Sequence, residues 1–263
     1  MSLVNSLSSR LHLSRRLLLA MPLMGILKAG GQQTRTLSSL RELSVTELEN
    51  KTHHVQGIVV HGGMLWVSSV AKDEGFLHKF EISSGRQLTA SPIHDGKRFH
   101  AGGMDRDGDS LWVPVAEYRR ESTSTILQVD TRTLSARSRF EVDDHIGCVA
   151  VAGDRLIGGN WDSRQLYTWD RAGKLLGKRE NPNPVAYQDL KFSEGTLIAS
   201  GNTSREEGAI DWLDPDTMRL RKRIVCGTTD RGVRFTNEGM AVVDGKLYLL
   251  PEDGPSRLFV FQL

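Results

Sequence analysis

Disulfide chemistry and zinc binding have little to work with in this chain, because its 263 residues carry two cysteines, Cys148 and Cys226. They are far apart and form no Cys-x-x-Cys pair, so they read as buried thiols, with one disulfide between them as the alternative. No Gly-x-Ser-x-Gly elbow occurs, which leaves a catalytic serine triad unsupported. Aromatic residues make up 6% of the chain. The charge is nearly balanced at a formal +2, so nothing points to nucleic acid or to an acidic membrane surface. The longest apolar stretch, Leu17 to Leu27, has eleven residues, whereas a membrane-spanning helix needs about 20.

The first 30 residues contain no acid, only Arg10, Arg15, Arg16 and Lys28 as charges. A basic start, a short apolar core and the small residues Ala29-Gly30-Gly31 predict a cleavable export signal over residues 1–31. Ser14-Arg15-Arg16-Leu17 is of the twin-arginine type. An organellar transit peptide is the alternative. No cysteine follows the apolar core, so no lipid anchor is expected. The mature protein is then periplasmic or extracellular, without stable membrane insertion, and carries a formal −2 once those four charges are removed.

Beyond residue 31 the sequence repeats. Short apolar runs bounded by Gly and Asp turns recur, and aligning them on Gly57, Gly103, Gly147, Asp189 and Gly239 gives spacings of 46, 44, 42 and 50 residues. Strand-only repeats of that length are β-propeller blades. The chain is therefore expected to be all-β, a single five-bladed propeller over residues 32–263. The fifth repeat lacks its outer strand, which residues 34–43 are expected to supply, closing the ring and covering an open edge. A sixth blade would need about 40 more residues. The strands are shorter than the ~9–11 residues of a transmembrane barrel, and a β-sandwich does not repeat at a fixed period.

In such a ring, the starts of the inner strands and the ends of the second strands share one face, where the longer loops and the unusual polar residues gather. Glu117 and His100 are candidates for general acid–base catalysis, since imidazole titrates near neutral pH. His54, Gln56, Tyr118, Trp161, Tyr187 and Asn237 are candidate ligand contacts, the aromatic ones as walls for a sugar or aromatic ring. Asp144, His145, Asn160, Asp189, Asn202 and Glu238 form a candidate oxygen- and imidazole-rich set for a divalent metal, Ca²⁺, Mg²⁺, Mn²⁺ or Zn²⁺. Any of these polar groups also has a plain structural use, stapling loops and neighbouring blades. Trp66, Trp112, Trp169 and Trp212 lie within strands and read as packing between blades.

His54-Val-Gln-Gly-Ile58, Leu65-Trp-Val-Ser-Ser69 and Thr236-Asn-Glu-Gly-Met240 resemble the plant-type glutaminyl cyclases, whose inner strands begin Phe-Thr-Gln-Gly-Leu and whose last blade contains Asn-Glu-Leu. The resemblance implies a five-bladed propeller and brings forward Gln56 and Glu238 as funnel residues. The acidic residue those cyclases carry near the end of the first blade's second strand is replaced here by Val67-Ser68-Ser69. Trp112-Val-Pro-Val-Ala-Glu-Tyr118, Asp144-His-Ile-Gly147 and Gly159-Asn-Trp-Asp-Ser-Arg164 look like a family of exported bacterial and fungal propellers of unassigned function, which supports the fold and supplies no reaction. The expected function is binding of a small polar molecule or sugar in the funnel by a monomer, with metal-assisted hydrolase or lyase chemistry as its enzymatic form. A non-catalytic module for a sugar, peptide or protein is the alternative.

Overall fold

A computed structural model describes residues 33–263; the predicted export signal lies outside the described residues. Five antiparallel sheets surround one axis. From the axis outward, blade one is His54–His61, Met64–Ala71, Glu74–Glu81 and Gln87–Ile93. Blade two is Ser110–Ala116, Ser124–Asp130 and Ala136–Val142, with an inner strand split into His100–Ala101 and Asp105–Asp107. Blade three is Ile146–Ala152, Arg155–Asn160, Gln165–Asp170 and Leu175–Glu180. Blade four is Ala186–Ser193, Thr196–Asn202, Gly208–Leu213 and Leu220–Cys226. Blade five is Glu238–Val243, Lys246–Pro251 and Arg257–Gln262.

The fifth blade is completed by Arg41–Glu47, antiparallel to Arg257–Gln262 with Val45 opposite Phe259. Closure therefore comes from the N-terminal side as expected, but the strand starts later than residue 34. Thr34-Arg-Thr-Leu-Ser38 repeats Thr131-Arg-Thr-Leu-Ser135, which in blade two precedes the outer strand Ala136–Val142; here too the closing strand follows the motif. Gln33–Thr36 instead runs parallel to Leu220–Cys226 as a fifth strand of blade four. The 3₁₀ turn Leu37–Ser39 then crosses the seam, burying Leu37 and Leu40 between blades four and five. One segment thus clasps two blades.

Hydrophobic burial is divided among five clusters, one in each seam. Trp66, Leu111 and Val113 pack between blades one and two. Trp112 and Trp169 lie between two and three, and Cys148 lies between three and four. Ile224 and Cys226 lie between four and five, and Ile58 and Ala241 between five and one. The strand tryptophans are packing residues, and the Trp66 indole N–H also ties blade one to the Thr131 carbonyl of blade two at 3.0 Å. Both cysteines are free buried thiols.

Five inner strands must converge on one axis, and this explains the repeated glycine. A Cβ on Gly57 would lie 2.6 Å from the Gly103 Cα, and one on Gly103 would lie 2.5 Å from the Gln188 carbonyl. Blade four breaks the pattern with Asp189, whose carboxylate enters the space its neighbours leave empty. One oxygen accepts the backbone N–H groups of Ile58 (3.1 Å) and Met240 (3.0 Å), from blades one and five. The other accepts the buried Lys191 ammonium. Asp105 does the same for blades three and four, accepting Val151 N–H at 3.0 Å and Phe192 N–H at 3.2 Å.

These contacts rank substitutions. Gly103→Ala meets fixed backbone and is expected to cost more than 2 kcal/mol, of the order seen for overpacked cores. Gly147→Ala has its nearest neighbour at 3.7 Å and is expected to stay within about 1 kcal/mol of the parent in urea denaturation.

Candidate functional site

Above the Asp189 floor the channel opens into a pocket of about 120 Å³. His54, Gln56, His100, Tyr118, His145, Asn160, Trp161 and Glu238 all line it, together with Gln188 and Asp162. Inner-strand starts supply the imidazoles, the glutamines and Glu238, while the end of the second strand of blade three supplies Asn160 and Trp161.

Glu238 is the outlier. It is 6% exposed, and its carboxyl accepts no hydrogen bond from any of the described residues. Burial disfavours its charged form and pushes its pKa up to about 8, against the pull of His54. Its neutral form is therefore favoured at pH 7. His54 Nδ1 stands 2.8 Å from Glu252 Oε1, at ion-pair distance though off the line of a good hydrogen bond, and this acidic neighbour raises its pKa despite burial.

The other two imidazoles are held neutral. Burial, with His145 and His54 nearby, drives His100 down to about 3. His145 is lowered, chiefly by burial. Its Nδ1–H donates to the Arg119 carbonyl at 3.0 Å, which leaves Nε2 as an acceptor. Rings close this side of the pocket. His100 stacks on Tyr118 at 4.7 Å, Tyr118 leans on Trp161 at 6.2 Å, Trp161 meets His145 edge-on at 4.6 Å, and His145 returns to His100 at 5.3 Å. Trp161 begins a tight turn in which Asp162 and Ser163 both take left-handed backbone angles. Ser163 is pinned there by donating to the Tyr187 carbonyl at 2.7 Å.

Several predicted site residues do not reach this pocket. Glu117 faces Arg119 Nε at 3.0 Å, Lys97 Nζ at 3.1 Å and Thr123 Oγ1 at 3.2 Å. These donors, Arg119 foremost, hold it ionised, with its pKa lowered to about 2, so it is a rim ion pair and not a proton-transfer group. Tyr187 is buried and donates its hydroxyl to Asp211 at 2.6 Å, within the core. Asn237 and Asn202 bond each other and, respectively, Glu252 and Thr236. Asp144 accepts the Tyr167 hydroxyl at 2.5 Å and the Asn160 amide at 3.1 Å.

Asp189 is committed to Lys191 and to two backbone donors. Of the six predicted metal ligands, His145, Asn160 and Glu238 share the pocket while Asp144, Asp189 and Asn202 do not line it, and among the described residues no three His, Cys, Asp or Glu side chains form a metal-holding group.

A model for a family of unknown function, DUF6454, matches residues 27–195. The chain belongs to DUF6454. No curated protein sequence matches it. Among solved structures, this DUF6454 member is similar to a Myxococcus xanthus glutaminyl cyclase, at 16% identity and a TM-score of 0.67, covering 88% of this chain and 98% of that one. That likeness establishes the five-bladed fold. It is also similar, at lower scores, to the Neurospora crassa Pan2 WD40 domain (14% identity, TM-score 0.46, 74% and 62% of the two chains). BamB from Moraxella catarrhalis matches at 12% identity and a TM-score of 0.44, over 81% and 83%.

From the sequence, Gln188 and Glu252 lie on this face of the DUF6454 propeller without an assigned role, and Asp162 carries no signal; Glu252 stands behind His54 and does not line the pocket itself. Glu252 had a visible signal, since it ends the second strand of its blade just as Glu117 does. The protonated Glu238 has a thermodynamic consequence. Its folded pKa lies above the ordinary 4.5, so its contribution to stability is complete below that value and is lost as pH rises from about 4.5 to about 8. Glu238→Gln is expected to match the parent near pH 4.5 and to exceed it by about 2–4 kcal/mol at pH 9, read by urea denaturation across pH. Equal stabilities at pH 9 would contradict a buried neutral carboxyl.

Proposed function

We propose that this protein is an exported, monomeric enzyme, acting in the periplasm or outside the cell, that transfers protons to and from a small polar molecule at the mouth of its channel. Glu238 is the proton donor and His145 Nε2 the acceptor. The observation that carries this reading is that Glu238, a residue 6% exposed, has a carboxyl with no hydrogen-bond donor among the described residues while it lines a pocket with three imidazoles. An unpaired buried polar group costs a few kcal/mol, and the same fold supplies partners for Asp189, Asp144 and Glu117. Retaining that cost is what a catalytic acid with a pKa near the working pH requires.

The chemistry that fits is hydrolysis or elimination. As the bond to a leaving oxygen or nitrogen breaks, the Glu238 proton goes to the leaving atom. His145 Nε2 takes a proton from the attacking water, or from the substrate carbon in an elimination, and both groups then re-equilibrate with solvent. A pair of groups whose surroundings push their pKa values in opposite directions is suited to such a division of roles. His54, Gln56 and Gln188 are placed to orient the molecule, and the Tyr118–Trp161 wall offers a flat apolar face to a sugar ring. That wall also favours the second reading, a sugar-binding module without turnover.

The test is a panel of small esters, amides, lactones and sugar acids incubated with the protein, with products read by mass spectrometry. The parent is expected to convert at least one class, and Glu238→Gln to do so 10²–10⁴-fold more slowly with an unchanged circular dichroism spectrum. Equal turnover by the variant would remove Glu238 from the chemistry. Sugar binding without turnover, undiminished in the variant, would establish the binding module instead.

A further inference from the structure

We propose that His54 and Glu252, facing each other across the seam between blades one and five, are a positioning dyad that sets the pH at which Glu238 releases its proton. The proposal rests on the acid–base reading above and adds two residues that act through Glu238.

Glu252 is held in place to an unusual degree for a loop residue. Its backbone N–H donates to the Asn237 carbonyl, and its Oε2 lies 3.5 Å from the Asn237 amide nitrogen. Asn237 is the residue directly before Glu238, so one stretch of backbone carries both the acid and the contact that fixes Glu252. On the other side, Asp253 is buried and its carboxylate accepts Arg257 Nε at 3.0 Å. Arg257 also pairs with Asp230 at 2.6 Å, while Arg231 donates to the Asp253 carbonyl and, at 2.7 Å, to the Pro255 carbonyl. The Glu252 carboxylate is thereby presented to His54 Nδ1 at 2.8 Å.

His54 is a wall of the Glu238 pocket. With Nδ1 turned to Glu252, its Nε2–H is the donor left over. Four charged groups act on Glu238. His54 and Arg234 favour its carboxylate, while Glu252 and Asp189 oppose it. Glu252 foremost, and Glu238 when ionised, raise the pKa of His54. An imidazolium beside a buried acid lowers the acid's pKa, and Glu252 favours that form of His54. Protonation of His54 thus favours release of the Glu238 proton, against the effect of burial.

The experiment is carboxyl and imidazole NMR titration of the full chain with labelled Glu and His, for the parent, His54→Gln, Glu252→Gln and Glu252→Asp. In His54→Gln the Glu238 midpoint is expected to rise by about one pH unit. In Glu252→Gln the His54 midpoint is expected to fall by about one unit, and Glu252→Asp to recover part of it, changes that a purely structural contact would not produce in that order. A Glu238 midpoint that is high in the parent and unmoved in His54→Gln overturns the dyad and leaves the acid–base reading standing. A parent Glu238 that titrates with ordinary carboxylates overturns both. Glu252 is more than one-third exposed, so its variants keep the test open should His54→Gln fail to fold.

Discussion

The contact on which the rest of this propeller depends is the Asp189 carboxylate at the axis. Five inner strands approach too closely there for side chains, and blade four places a charged one in the gap. Burying that charge is tolerable because Lys191 and two backbone N–H groups from the neighbouring blades surround it. Removing one partner of such a buried pair is typically worth 3–5 kcal/mol. Asp105 repeats the device across blades two, three and four. The carboxylates at the floor of the channel are thus buried and satisfied.

The mouth of the channel is built on the opposite rule. A few residues above that floor, Glu238 is 6% exposed and meets no hydrogen-bond donor among the described residues. Its surroundings supply His54, whose protonated form Glu252 favours, and two imidazoles whose charged forms burial disfavours, together with glutamine side chains. Four carboxylates near this face therefore have four different states. Glu117 is ionised by arginine and lysine, Asp144 is tied to a tyrosine and an asparagine, and Asp189 is pinned by lysine, while Glu238 alone keeps its proton for lack of a partner. Sequence composition makes these four residues look equivalent; only their neighbours separate them.

The architecture was legible because it is written in periodicity. Glycine at four of the five aligned inner-strand positions, turns of Gly and Asp, and runs of alternating apolar residues determine blade number and order, and the convergence of Gly57 and Gly103 shows one reason for the repeat. The closing strand was legible in kind but displaced, because Thr34-Arg-Thr-Leu-Ser38 repeats the segment that precedes an outer strand in blade two. The site was partly legible. Residues at strand starts reach the pocket by topology, as His54, Gln56, His100, His145 and Glu238 do. Tyr187 and Asp189 share those strand starts, and Glu117 and Asn202 end second strands, yet they turn to the core, to an ion pair or to neighbouring polar side chains. Those orientations depend on Arg119, Asp211, Thr236 and Lys191, and no spacing in the sequence encodes which neighbour a side chain will meet.

Infrared difference spectroscopy of the parent against Glu238→Gln at pH 7 reads the protonation of Glu238 itself. A protonated-carboxyl carbonyl band is expected in the parent, missing from the variant and fading in the parent as pH passes about 8. A carboxylate band at pH 7 in place of that signal would contradict it.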